Sequence, residues 1–426
     1  MFKTLANAWK IPELRKKLMF TLIVLLLYRV IAAIPVPFVD LKLMHDSLAF
    51  QNLFNDSILG LFDAMSGSAF SQASILALGI QPYINASIII QLLTVAIPAL
   101  ERLAKDGGEE GKKKIDMITR LTTVGLGLLL GFAYWTMINS YNIMMTDISK
   151  WVTGIVVIGA FAAGAALVMW LGEQITANGI GNGISMILLA NILAGLPNMF
   201  INLAQSMKWW SIIVYVVLLA LVVFVVFIND AERRIPIQYA KRVVGRKVYG
   251  GQSTNLPIKV AMSGVMPVIF AQSIASVPAT ICAFFGINDQ SGIWWFNTFF
   301  SSNSWVYAAA YFLLIFFFSW FYSTIQYDPV EIGNNLKKNG GFIPGFRPGR
   351  PTAEFIKKVI NKILVFGALY LSVIALLPII SGILVPDVRN LAIGGTSIII
   401  VVGVALETVK ALEAQMLMRH YKGFLD

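Results

Sequence analysis

Ten separate stretches of about 20 mostly apolar residues run through this chain, each long enough to cross the ~30 Å hydrocarbon core of a bilayer as a helix. They lie near 18–35, 75–98, 117–138, 152–172, 183–203, 210–229, 258–283, 304–325, 363–385 and 391–412. Lipid offers no hydrogen-bond partner, so each crossing segment must satisfy its own backbone, and a helix does that. The ten-residue alternation of a membrane barrel is absent. Composition agrees: charged residues make up 13% of the 426, about half the ~25% usual in water-soluble proteins. This excludes a disordered chain, a collagen-like chain and an ordinary soluble enzyme. No small-residue cleavage site follows the first apolar stretch, so that stretch is expected to remain as a span.

Lys and Arg orient the spans. Of the 33, 28 fall on the side that holds the N-terminal segment. Lys42, Lys150, Lys208 and Arg389 fall on the other, and Arg29 lies inside the first span. Positive charge is retained on the cytoplasmic side, so both termini are expected in the cytoplasm. The net charge of +11 is then mainly a topology device rather than a sign of nucleic-acid binding.

Chemistry-bearing patterns are scarce. One cysteine, Cys282, allows no internal disulfide, and His45 and His420 are too few and too far apart for a histidine metal site. The string Gly107-Gly108-Glu109-Glu110-Gly111-Lys112 has the wrong spacing for a phosphate-binding loop, with Lys113 where Ser or Thr is required. No nucleophile elbow or HExxH occurs. No catalytic residue, metal or cofactor is expected. Acidic residues also avoid mid-membrane positions: Glu173 falls at a span end and Glu407 in the last turns of the tenth. Proton- or sodium-coupled transporters place ionisable groups near the midplane.

Some segments are not simple spans. Residues 55–74 are half apolar, rich in small residues and too polar to cross. They suit either an amphipathic helix outside the membrane or a re-entrant element lining a cavity. The second span carries Gln81, Pro82, Asn85, Ser87, Gln91 and Thr94. The seventh carries Ser263, Gly264, Pro267, Gln272, Ser273, Ser276 and Pro278. Such residues face neighbouring helices or a cavity rather than lipid. The fifth span opens Gly179-Ile180-Gly181-Asn182-Gly183-Ile184-Ser185, a tight helix start or a close packing point. Ile80, Ile84 and Ile88, and Ile398 to Val402, form apolar stripes that serve packing or lipid contact when taken alone.

Two cytoplasmic loops read as folded. Around Gly245, residues 234–250 alternate apolar and basic residues, which predicts a two-stranded hairpin. Asp328-Pro329-Val330-Glu331 predicts a capped helix start and Asn339-Gly340-Gly341 its end. The following Phe342-Ile343-Pro344-Gly345-Phe346-Arg347-Pro348-Gly349-Arg350-Pro351 is a proline-stiffened tip that holds Arg347 outward. Basic loops attract anionic lipid, but a lipid patch needs no proline scaffold, which favours a protein or ribosomal RNA partner.

These strings together resemble the SecY family of bacterial protein-conducting channels. The resemblance rests on Leu78 to Ile84 with Ile88 to Leu93, Gly179 to Ser185, Tyr239 to Arg242, Gln252 to Thr254 with Leu256 to Lys259, and Phe342 to Gly349. It covers the whole chain in order. It implies an all-α polytopic membrane protein whose ten transmembrane helices form two pseudo-symmetric five-helix halves, 1–206 and 207–426. A re-entrant plug would lie at about 57–73. A waist ring would consist of Ile80, Ile84, Ile184, Leu188, Ile269 and Ile400. Leu188 stands where the family often has isoleucine. A lateral gate would run between the second and seventh spans through Asn85, Ser87, Gln91, Ser273 and Val277. Loops near 230–257 and 326–362 would dock the SecA ATPase or the ribosome through Arg242, Arg246, Lys247, Arg347 and Arg350, with Arg347 the key contact.

The same resemblance implies small membrane subunits SecE and SecG as partners, preprotein signal sequences and membrane lipids as contacts, and no specific DNA. The chain would lie in the bacterial plasma membrane and pass unfolded chains outward while releasing apolar segments sideways. An apolar constriction suits such a task, because it excludes water by dewetting yet binds no polar side chain tightly. The rival classes are a small-solute transporter, which lacks its midplane charges here, and a membrane enzyme, which lacks a catalytic constellation.

Overall fold

Self-satisfied apolar segments joined by charged loops fold into ten helices of 16 or more residues in the computed structural model. It describes residues 2–47, 50, 58–141, 143–145, 149–207, 209–239, 242–244, 247–249, 253–262, 264–284, 293–300, 304–384 and 389–422. The chain begins with α1 (Phe2–Lys10), α2 (Pro12–Ala32), α3 (Leu41–Asp46) and α4 (Ile58–Ser66). There follow α5 (Gln81–Ala96), α6 (Pro98–Lys105), α7 (Gly108–Ser140), α8 (Lys150–Asn178), α9 (Gly183–Met207) and α10 (Trp210–Asp230). The next segment holds β1 (Glu232–Tyr239), β2 (Arg242–Val244), β3 (Lys247–Tyr249) and β4 (Ser253–Lys259). The remainder is α11 (Met266–Phe284), α12 (Trp294–Phe299), α13 (Trp305–Gln326), α14 (Pro329–Lys338), β5 (Gly341–Phe342), α15 (Arg350–Leu384) and α16 (Arg389–Lys422).

The ten long helices are α2, α5, α7 to α11, α13, α15 and α16, in the order of the ten predicted spans. Several boundaries differ from expectation, three of them for a plain local reason. Residues 75–80 form turns, and α5 starts only at Gln81, because Gly79 takes a φ of 53° and Pro82 sits in the first turn. Residues 258–259 belong to β4 rather than to the seventh span, whose helix begins at Met266. And α15 starts 13 residues before the predicted span, because its first turns are amphipathic: Ile356 and Ile360 are buried while Lys357, Lys358 and Lys362 are exposed.

The Gly-rich start of α9 is a tight hairpin. Asn182 Oδ1 accepts from the Ile184 N–H at 3.0 Å, and Thr176 Oγ1 accepts from the Gly183 N–H at 2.9 Å. A Cβ on Gly183 would lie 1.9 Å from the Gly172 carbonyl oxygen, so only glycine lets α8 and α9 approach this closely.

The two long loops between helices build a platform with its own core. The hairpin around Gly245 is present as β2 paired with β3, Val243 opposite Val248. The longer pairing was not foreseen: β1 runs antiparallel to β4, Ile235 opposite Leu256, and also pairs with β5 to give a three-stranded sheet. Ile235, Ile237 and Ile258 from this sheet pack against Leu336, Ile343, Ile356 and Ile360. As expected, Asp328 caps α14, accepting from the Val330 N–H at 2.8 Å and the Glu331 N–H at 3.3 Å.

Candidate pore and gate

Isoleucines three or four apart on several helices make a continuous apolar plug of side chains only if those helices converge. They do. Ile80, Ile84, Leu188, Ile269 and Ile400 are all buried in one cluster, and Ile184 packs against it. These six candidate ring residues come from the start of α5, from α9, from α11 and from α16. Ile80 is the N-cap residue of α5, and its carbonyl accepts from the Ile84 N–H at 3.0 Å. The late helix start thus sets both isoleucines on the same side, one turn apart.

Most of the described side chains of residues 58–73 are buried or half-buried, with Gln72 exposed, which favours the internal reading of this segment. Leu59, Phe62, Met65, Ala69, Phe70 and Ala73 are buried, and Met65 and Ala69 belong to the same cluster as the ring residues. Ser57, the start of the expected plug, lies outside the described residues. Helix α4 touches α9, α11 and α16. Its end is tied off internally: the Ser68 N–H donates to the Asp63 carbonyl at 2.9 Å, Phe70 N–H to Ser66 Oγ at 3.0 Å, and Ser71 N–H to Asp63 Oδ1 at 2.7 Å.

The polar residues of the second and seventh spans meet each other. Helix α5 packs against α11, and Ser273 Oγ donates to Gln81 Oε1 at 3.2 Å. Gln81 Nε2 and Gln272 Nε2 both point to Met65 Sδ, at 3.1 and 3.3 Å. One residue of α4 therefore contacts both walls of the seam. Of the five candidate gate residues, Ser273 is buried, Asn85, Ser87 and Gln91 are half-buried, and Val277 is 37% exposed.

The candidate docking residues Arg347 and Arg350 lie beside the platform core, in the tip before α15 and at its start. Arg347 is exposed at the tip. Its backbone is held, since Thr352 Oγ1 donates to the Arg347 carbonyl at 2.8 Å and the neighbouring Phe346 ring meets Phe355 with centroids 4.2 Å apart. Arg350 is exposed and paired with Glu354 at 3.1 Å. Arg242 and Lys247 lie on β2 and β3, and Arg246 lies outside the described residues.

Sequence reasoning missed Asn191 and Tyr28, and left Arg29 unassigned. All three surround the end of α4, and only Arg29, a charge inside a span, gave a local signal. Among the described residues, no group of three His, Cys, Asp or Glu side chains is placed to hold a metal.

A helical membrane protein with a converging apolar cluster, a short helix packed against it and a separately folded platform has the build of a polytopic channel. The comparisons give the family. The SecY family profile matches residues 74–409. The protein translocase subunit SecY of Streptomyces scabiei is 43% identical over the full length of both chains. That of Thermotoga maritima is 39% identical, covering all of this chain and 98% of its own. The chain belongs to the SecY family and is a channel-forming subunit of a protein translocase, not an enzyme. Among solved structures, one described as a protein-conducting channel aligns over 96% of both chains with a TM-score of 0.66 at 18% identity. Sec61 in a canine ribosome-channel complex aligns over 96% of both with a TM-score of 0.61 at 17% identity. At such identities these likenesses speak for the fold.

Proposed function

We propose that this chain is the central pore of a bacterial plasma-membrane translocase, with both termini cytoplasmic and halves 1–206 and 207–426 that hinge apart. Ile80, Ile84, Ile184, Leu188, Ile269 and Ile400 form the gasket around a passing unfolded chain. The observation that carries this reading is their convergence, from four helices, into one apolar cluster directly against α4. With α4 seated, the constriction is dry and closed to ions. The seam between α5 and α11, lined by Asn85, Ser87, Gln91, Ser273 and Val277, is the lateral exit for apolar segments. Among the described residues, its direct side-chain bond is a neutral contact between Ser273 and Gln81, which a signal sequence entering the seam can replace.

Energy comes from outside the chain, in keeping with its lack of a phosphate-binding loop. Arg347, held outward on a braced tip, with Arg350, Arg242, Arg246 and Lys247 nearby in the same two loops, is the contact for the SecA motor or the ribosome. SecE and SecG complete the complex against the exposed apolar walls.

The test is conductance of the reconstituted complex without substrate. Ile400→Asn and Ile269→Asn place a polar group in the gasket and favour its wetting. Resting ion flux is expected to rise by about tenfold, equivalent to ~1.4 kcal/mol in the closed-to-open balance, and export of substrates with defective signal sequences should rise with it. Parental conductance and parental stringency in both variants would make these residues ordinary packing.

A further inference from the structure

Arg29 is a cation inside a span with no carboxylate to meet it. Among the described residues it takes part in no ion pair. Its guanidinium instead donates to the Gly67 carbonyl at 3.1 Å. Two residues earlier, the Met65 carbonyl accepts from Asn191 Nδ2 at 2.9 Å, and the same amide donates to Tyr28 Oη at 2.8 Å. Tyr28 and Asn191 are fully buried. Both receiving carbonyls sit at the C-terminal end of α4, where backbone carbonyls lack partners within the helix and the helix dipole is negative. Gly67 takes a φ of 67°, and a Cβ there would lie 2.3 Å from the Arg29 guanidinium and 3.1 Å from Asn191 Oδ1. The glycine therefore serves both the left-handed turn and the approach of the two side chains.

We infer that Arg29 and Asn191 form a latch that holds the plug in its seat by capping the C-terminal end of its helix. This rests on the reading of residues 58–73 as the plug. The latch belongs wholly to the N-terminal half: Arg29 and Tyr28 lie on α2, Asn191 on α9. The contacts from Gln81 and Gln272 come instead from the two sides of the seam. Opening the seam breaks the second set and leaves the first, so the latch sets how readily the plug departs once the gate has moved. The seat is only partly satisfied, since Asn191 Oδ1 and Gln272 Oε1 are buried without a hydrogen-bond partner. Such a half-satisfied polar site holds a segment less firmly than a complete network, as release requires. An intramembrane cation is costly unless it serves a function, and capping a mobile helix gives Arg29 one.

The test uses the reconstituted complex, with deletion of 60–69 as the reference for an absent plug. Arg29→Gln and Asn191→Leu should each raise resting ion flux by roughly two- to thirtyfold, the range for losing a cation or cap at a helix C-terminus. The double variant should approach the deletion, and Arg29→Lys should retain part of the seal. A second readout separates a latch from general packing. In a Cys282→Ser background, Ala69→Cys, buried at rest, should react with a membrane-impermeant thiol reagent faster in both latch variants than with Arg29 and Asn191 intact. If the deletion leaks while both latch variants seal normally and leave Ala69→Cys protected, the latch is wrong and the plug stands. If the deletion itself does not leak, the plug reading fails and the latch with it. Should Arg29→Gln fail to assemble, Asn191→Leu decides by the same two measurements.

Discussion

Helices α10 and α5 both count among the ten spans but are opposites in the molecule. The spanning part of α10 has a mean hydropathy of 3.3, and 17% of it is buried. Val216, Leu219, Val223 and Phe227 on it are all exposed. Helix α5 carries Gln81, Asn85, Ser87, Gln91 and Thr94, yet Gln81, Ile84, Ala86, Ile88 and Ile90 are buried. It passes as a span only together with α6, which bends away by 101°. Hydrophobicity and burial have come apart. In water, apolar side chains leave the surface because the solvent rejects them. In lipid that force is absent between helices, and packing, small residues and hydrogen bonds decide which helices meet. The most apolar helix is therefore a wall, and the polar one lines the machine. Helix α11 repeats the lesson, since its polar Gln272, Ser273 and Ser276 are buried.

The strongest way to break this contrast is to remove the same side chain from each environment. Leu188 on α9 is 0% exposed and Leu219 on α10 is 68% exposed. Leu188→Ala is expected to cost about 2–5 kcal/mol, the price of a cavity in a packed interior, whereas Leu219→Ala should stay within about 0.5 kcal/mol. Thermal unfolding of the two variants in detergent checks this, and equal losses would mean that α10 is covered as tightly as the waist.

A smaller effect tests the polar side of the contrast. Gln81→Leu removes the acceptor of Ser273 and a contact to Met65. Interhelical hydrogen bonds in membranes average about 0.6 kcal/mol, so the seam should open roughly threefold more readily. Insertion rates of a marginally apolar signal-anchor segment report that change. A rate equal to the parent's would assign the Gln81–Ser273 bond to static packing.

The smallest effect belongs to the water-exposed end. Where α6 leaves the membrane, Lys105 Nζ meets Glu101 Oε1 at 2.7 Å, with both side chains well exposed. The hydrogen bond and charge of Lys105 hold the Glu101 carboxyl below its ordinary value. Its contribution is present above the unfolded-state value and is lost as pH falls through the lowered one. Being exposed, the pair is screened by salt. Glu101→Gln should leave the melting temperature unchanged at neutral pH and moderate salt. A clear shift there would show that the bend between α5 and α6 depends on this pair.

Much of this molecule was determined by the sequence alone. Ten apolar segments and the one-sided Lys and Arg settle the number and order of spans, because the cost of unsatisfied backbone in lipid leaves a helix as the only solution for each. Asp328 and Pro329 start α14 as expected, and the prolines around Arg347 leave it exposed, because caps and proline act over a few residues of chain. Ile80, Ile84 and Ile400 were legible within apolar stripes, and the full candidate ring only through resemblance. Their convergence was not, since a stripe facing lipid and a stripe facing a pore have the same spacing. The pairing of β1 with β4 spans a whole hairpin, so no local pattern announces it. Only the tertiary structure buries Leu59, Phe62, Met65, Ala69 and Phe70 and brings Arg29, Tyr28 and Asn191 together at the end of α4. Arg29 and Gly67 are separated by 38 residues and Asn191 and Met65 by 126. Contacts at such distances follow from which helices pack together, and in a membrane that choice rests on the fit of whole surfaces rather than on the hydropathy of any one segment.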